Sequence, residues 1–163
     1  MTVSDDVRAS FLVRTAWKWL LAPVLVVILF GVGDVVLGNA ADPAIVEGLT
    51  GVTFEEIEAL SPEAATVIDL QARSIGYLLL WMGLALTAVV LFAFRRWHRW
   101  AWFVMWVLPL WAVTASINML LIDRPETAPI PPPMVSGFIF FAYAVFWLAV
   151  SYKGFTTTSD QPA

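Results

Sequence analysis

The chain has 163 residues, 60% of them hydrophobic and only 13% charged, with a mean hydropathy of +0.80, and a soluble domain of this size cannot hide that much apolar surface. With no cysteine there is no disulfide framework, thiolate nucleophile or CxxC redox pair, and a single histidine excludes bis-histidine haem within one chain. The formal net charge of -4 says little as a sum, because acids and bases are sorted by position.

Residues 1–16 carry Asp5, Asp6, Arg8 and Arg14 around Phe11, Leu12 and Val13, a pattern that fits a short helix lying on a membrane surface. Trp17-Lys18-Trp19 marks an interface, and the apolar run over about residues 19–38 predicts the first span. At about 20 residues this run exceeds the 7 to 15 of a signal-peptide core, so it is read as a membrane helix although the small residues Gly38-Asn39-Ala40 follow it. Pro23 sits near its start, where a helix tolerates proline best.

Residues 39–73 change character: Asp42, Glu47, Glu55, Glu56, Glu58, Glu63 and Asp69 stand against Arg73 alone. Helix punctuation runs through this acidic stretch. Asp42-Pro43 reads as a cap followed by proline at the first helical position, Thr53 to Glu56 as a capping box, and Ser61-Pro62-Glu63 as a third start. Leu49, Phe54, Ile57, Leu60, Val67 and Ile68 give the pieces apolar faces, which predicts a small helical extramembrane segment. No breaker separates Pro62 from Phe94, so the third helix is expected to run on into a second span over about 74–94, some 50 Å in all.

The turn Arg95 to Trp111 holds three arginines, the only histidine and five of the nine tryptophans. Guanidiniums beside indoles between two apolar runs mark a tight turn at a membrane surface, with the arginines touching anionic headgroups and the rings forming an aromatic belt. His98 reads as a surface histidine, since no other metal ligands lie near it in sequence. A third span follows over about 101–122, with a kink expected at Pro109; Pro131-Pro132-Pro133 then delays a fourth span to about 134–152. The polar ending after it has the composition of a disordered tail. With the N-terminus inside, seven of the nine Lys and Arg fall on the cytoplasmic side, which predicts both termini cytoplasmic in a cell inner membrane.

Small residues at Gly31, Gly33, Gly76 and Gly83 are candidate helix-packing sites. By depth, Asp34, Ser74, Tyr77, Thr114, Ser116, Asn118 and Ser136 share the slice near the acidic segment. Asp34 is the acid that hydropathy puts inside a span, where an ionised carboxylate needs a partner. Arg73 is the expected one, with Tyr77 or Asn118 hydrogen-bonded to the pair, and Asp69, one turn before Arg73, competes for it. A ligand-binding reading of the same slice takes Asp34, Arg73, Tyr77, Trp81, Asn118 and Ser136 as its lining.

Arg95 to Leu110, RRWHRWAWFVMWVLPL, resembles the junction between the second and third helices of small, mostly uncharacterised four-helix bacterial membrane proteins of the DoxX-like group. The resemblance implies the four-span fold. Some members are linked to quinone-dependent oxidation, but no residue here matches a motif that would carry this activity over.

The fold expected is therefore all-α, an integral membrane four-helix bundle. No catalytic, cofactor or metal motif is evident and no nucleic-acid partner is implied, so the leading expectation is action through membrane lipids, a membrane-protein partner or a second copy. The alternatives are a hydrophobic small-molecule ligand (lipid, isoprenoid or quinone) near Asp34, and a proton-coupled carrier or membrane enzyme using that carboxylate.

Overall fold

The computed structural model describes residues 11–156, and all regular structure among them is helical. The first ten residues of the expected surface helix, and the polar tail beyond Thr156, lie outside the described residues. Four helical stretches, Phe11–Ala41, Pro62–Arg96, Arg99–Leu121 and Pro132–Thr156, are long and apolar enough to cross a membrane, with mean hydropathies of 1.7 to 2.6. The chain is a multi-pass membrane protein with the expected all-α bundle.

Helix α1 (Phe11–Leu37) is continuous, so residues 11–16 lead straight into the span rather than forming a separate piece. Pro23 has no N–H to give the carbonyl of Trp19, four residues earlier. The Tyr143 hydroxyl donates to that carbonyl instead, at 3.1 Å from another helix. Gly38 ends α1 with φ +62°, and a 3-10 turn covers Gly38–Ala41.

Two short helices follow, α2 (Pro43–Thr50) and α3 (Phe54–Leu60). The capping box is formed in both directions: the Thr53 amide donates to Glu56 Oε2 at 2.9 Å and the Glu56 amide to Thr53 Oγ1 at 3.3 Å. Asp42 precedes Pro43 as read from sequence, yet its side chain makes no capping hydrogen bond. Gly48 packs on the backbone and ring of the proline loop: a Cβ there would lie 2.8 Å from the Pro129 carbonyl oxygen and 2.5 Å from Pro131 Cγ. Gly51, at φ +74°, turns the chain next to Pro125. The acidic segment is thus docked onto the loop between the last two spans.

Ser61 caps α4 (Pro62–Ala88) through the Ala64 amide at 3.3 Å. As expected the helix does not stop there: a π turn over Val89–Ala93 and a 3-10 turn over Phe94–Arg96 carry it to the basic turn. The next span is broken, with α5 (Arg99–Val104) and α6 (Val107–Leu121) meeting at Met105-Trp106. Pro109 explains the place of the break, since its missing N–H belongs to the carbonyl of Met105, one turn upstream of the expected kink. Helix α7 (Pro132–Thr156) completes the bundle.

The closest seam is α1 against α4. A Cβ on Gly31 would sit 2.6 Å from the Leu80 amide nitrogen, one on Gly76 would sit 2.6 Å from Asp34 Cβ, and one on Gly83 would sit 2.5 Å from Ile28 Cγ1. Lipid tails are as apolar as leucine, so helices in a bilayer associate through such close packing rather than through burial from water. Gly33 plays no such part, having only an ordinary contact with Ala41 at 3.8 Å. Helix α7 packs on both α1 and α6, and the core of Leu20, Val24, Val90, Phe94, Met105, Leu108 and Leu148 lies toward the basic turn.

Candidate functional site

The last carbonyls of any helix lack partners within it. Arg73 supplies them for α1: its Nη1 donates to Val35 O at 2.8 Å and to Val36 O at 3.2 Å. Its Nε donates to Asp69 Oδ2 at 2.8 Å, while Asp69 Oδ1 accepts from the Asn39 amide at 3.0 Å. Arg73 and Asp69 are four apart on one face of α4, the spacing at which helical side chains meet. A Cβ on Gly38 would overlap the Asp69 carboxylate, so glycine leaves the room for this latch.

The Asp34 to Arg73 pair expected from sequence is therefore not formed. Asp69 holds Arg73 at the end of α1, whereas Asp34 sits one turn further in, packed on Gly76. Asp34 is half-buried and carries no hydrogen bond or ion pair among the described residues; the carboxylate of Asp42 is close enough to act on it electrostatically. Burial holds the Asp42 carboxyl above the usual carboxylate range, and the nearby Ala44 amide offsets this only in part. Asn39 is 6% exposed, and its Nδ2 has no hydrogen-bond partner among the described residues.

The other residues read as a pocket lining lie elsewhere on the surface. Tyr77 and Trp81 are 54% and 67% exposed, and Asn118 and Ser136 are exposed as well. No hydrogen bond joins any of the four to Asp34 or Arg73 among the described residues. Three other polar side chains that turn inward are taken up by backbone carbonyls: Ser116 donates to Pro133 O at 2.9 Å, Trp102 Nε1 to Leu148 O at 2.9 Å, and Thr87 to Gly83 O at 2.8 Å. The first two bonds tie neighbouring helices together and the third stays within α4, and all three leave their inward groups little freedom to serve a ligand.

Two recesses open at the opposite end, around the basic turn. One, of about 360 Å³, is lined by Ala88, Val89, Phe92, Ala93, His98 and Trp100. The other, of about 180 Å³, is lined by Arg14, Trp17, Phe94, Arg95 and Trp97. Sequence reasoning placed Arg95 and Trp97 at the interface and Arg14 in a surface helix, but did not bring the three together. The readable signal was the like charge on either side of Trp17, at residues that a four-span plan puts at one depth.

No protein-family model matches the chain, and no curated protein or solved structure matches it either.

Proposed function

We propose that this chain is a non-enzymatic inner-membrane protein that acts through contacts with lipids and membrane-protein partners, with both termini and the basic turn on the cytoplasmic side. The observation that carries this reading is how the polar groups are spent. Ser116, Tyr143, Trp102 and Arg73 bond to backbone carbonyls of other helices or their ends, and Thr87 bonds to a carbonyl of its own helix. Charge is sorted to two ends, with Arg95, Arg96 and Arg99 at one and Glu47, Glu55, Glu56, Glu58 and Glu63 at the other. The excess of basic residues faces the cytoplasm in this arrangement, as it does in membrane proteins generally. The resemblance of the Arg95 to Leu110 turn to the DoxX-like group agrees with a four-span plan and adds no activity.

Two measurements test it. Cysteines placed at Glu56 and Arg96 are labelled with an impermeant reagent, and Glu56→Cys should react in intact cells while Arg96→Cys reacts only after lysis; the reverse pattern inverts the topology. Native mass spectrometry from mild detergent should then show phospholipid adducts or a second chain.

One observation favours a second reading, a hydrophobic ligand at the acid-rich end: among the described residues Asp34, inside a span, has no hydrogen-bonding partner, and neither has the buried side-chain Nδ2 of Asn39, just past the end of the same helix. A stoichiometric quinone or isoprenoid that co-purifies, and is lost in Asp34→Asn, would put this reading first. A proton-coupled carrier would instead show Asp34→Asn abolishing pH-driven uptake.

A further inference from the structure

The smaller recess at the basic turn is built more rigidly than an interfacial patch requires. Trp97 adopts φ +64°, the left-handed region that normally takes glycine at a helix end. For a bulky residue that conformation is strained and persists only where surrounding contacts hold it. The contacts are present: the Trp97 indole lies on the bare backbone of Gly154, where a Cβ would collide with the ring, and meets Phe155 edge-on at 5.0 Å. Phe155 in turn packs against Phe94 at 4.8 Å. The preceding π turn, where Phe94 closes a five-residue ring to Val89, adds one residue to the helix and so swings Phe94 and Arg95 around its axis.

These features surround a cluster of positive charge. The Arg95 guanidinium stacks over the Trp17 ring at 5.1 Å and Lys18 approaches the same ring at 5.6 Å, while Arg14 completes the recess. Among the described residues no carboxylate pairs with any of the three, and all described acids, from Asp34 to Glu126, belong to the opposite end of the bundle. The indole N–H groups of Trp17 and Trp97 have no acceptor among the described residues and are not buried, so they remain open to an external one. A volume of about 180 Å³ equals roughly six waters at about 30 Å³ each, room for a phosphate and its immediate hydration but not for a whole lipid.

We propose that the recess formed by Arg14, Trp17, Phe94, Arg95 and Trp97 binds a phosphate group, that of an anionic phospholipid whose acyl chains run along the bundle. Two guanidiniums supply the charge-assisted, fork-shaped hydrogen bonds that phosphate oxygens accept best. The indoles add single donors and a wall at the depth where headgroups lie. A phosphate diester with an uncharged substituent fits this setting, whereas the choline cation of a zwitterionic lipid would sit among like charges. The proposal rests on the reading of this chain as a lipid-contacting protein, and it names the site and the chemistry of that contact.

The test is native mass spectrometry and thermal unfolding of the full chain in mild detergent, with phosphatidylglycerol, phosphatidylcholine or inorganic phosphate added separately. Wild type should retain phosphatidylglycerol over phosphatidylcholine and gain thermal stability from it. R14K/R95K keeps both charges and loses the forks, so phosphatidylglycerol retention should fall about tenfold or more. R96Q/R99Q removes two charges outside the recess and should cost less than about fivefold in all, because mild detergent lacks the anionic surface that attracts such charges diffusely. Circular dichroism confirms that each variant is folded; R14Q/R95Q serves if the lysine pair is not, and must then exceed the loss in R96Q/R99Q by about tenfold. Unchanged retention in folded R14K/R95K would overturn the site and leave general lipid contact standing. Stabilisation by inorganic phosphate with no preference for phosphatidylglycerol would move the phosphate to a soluble source and overturn the lipid. Wild type that retains no anionic lipid at all overturns both the site and the lipid reading beneath it.

Discussion

The bond from Tyr143 to Trp19 gives a sharp test of how the bundle handles its prolines. Pro23 leaves the Trp19 carbonyl without its intrahelical donor, and the hydroxyl of Tyr143 fills the gap at 3.1 Å. Tyr143→Phe keeps the ring beside Trp147 and removes only the hydroxyl. Interhelical hydrogen bonds in membranes average about 0.6 kcal/mol and reach about 1.7. Trp19 lies near the interface end of its span, where water can reach an orphaned carbonyl, which puts this bond near that average, about 0.6 kcal/mol. A Pro23→Ala background restores the backbone N–H that proline lacks, so the same Tyr143→Phe change should there cost near zero. The assay is a double-mutant cycle by denaturing-detergent titration, read by helical circular dichroism. Equal costs in the two backgrounds would refute the argument, because the hydroxyl would then be serving something other than the carbonyl that proline releases.

Gly31→Val should lower stability by about 1–3 kcal/mol or more, since the added atoms meet the Leu80 and Gly76 backbone rather than movable side chains, whereas Gly33→Ala should be near neutral; thermal unfolding in detergent compares them. Arg73→Gln should destabilise and Asp34→Asn should not, with coupling near zero between those two sites and clear coupling between Arg73 and Asp69 in a parallel cycle. Asp42 yields a pH prediction. Its carboxyl is raised in the fold, so its contribution to stability is fully present below the unfolded value of 3.8 and is lost as pH rises through the higher folded value. Asp42→Asn should therefore match wild type in strong acid and exceed it at neutral pH, and a stability difference that stays flat from acid to neutral pH would contradict this.

The plan of the molecule could be read from residues whose roles are local. Apolar run length fixes a span, Thr53 with Glu56 fixes a helix start, and the absence of a breaker after Pro62 predicts one helix through to the basic turn. Gly31, Gly76 and Gly83 were also legible, because small residues have few other reasons to recur inside a span. What could not be read depends on rotation about helix axes. Whether Arg73 turns to Asp34 or to Asp69 is settled by where α1 ends, and only the coordinates show its last carbonyls waiting above Arg73. The π turn at Val89–Ala93 has no composition of its own, and a left-handed Trp97 runs against every residue preference for that position. Both shape the basic turn, so its charge and aromatic content were legible in sequence while the recess they form was not.

The glycine seam and the docked acidic hairpin are completed at different moments of chain growth. Everything the seam needs, from Gly31 to Gly83, is already made when the ribosome reaches Arg96, and the leading part of a chain generally folds first. The seat for Gly48 and Gly51 consists of Pro125, Pro129 and Pro131, which come some 30 residues later, on the order of seconds at about 5–20 residues per second. During that interval the seam has all its residues, whereas the face of α2 that bears Gly48 has no seat to cover it. A slow codon or a stall between Arg96 and Pro125 would lengthen that exposure and leave the seam intact, so synthesis rate acts selectively on the acidic hairpin.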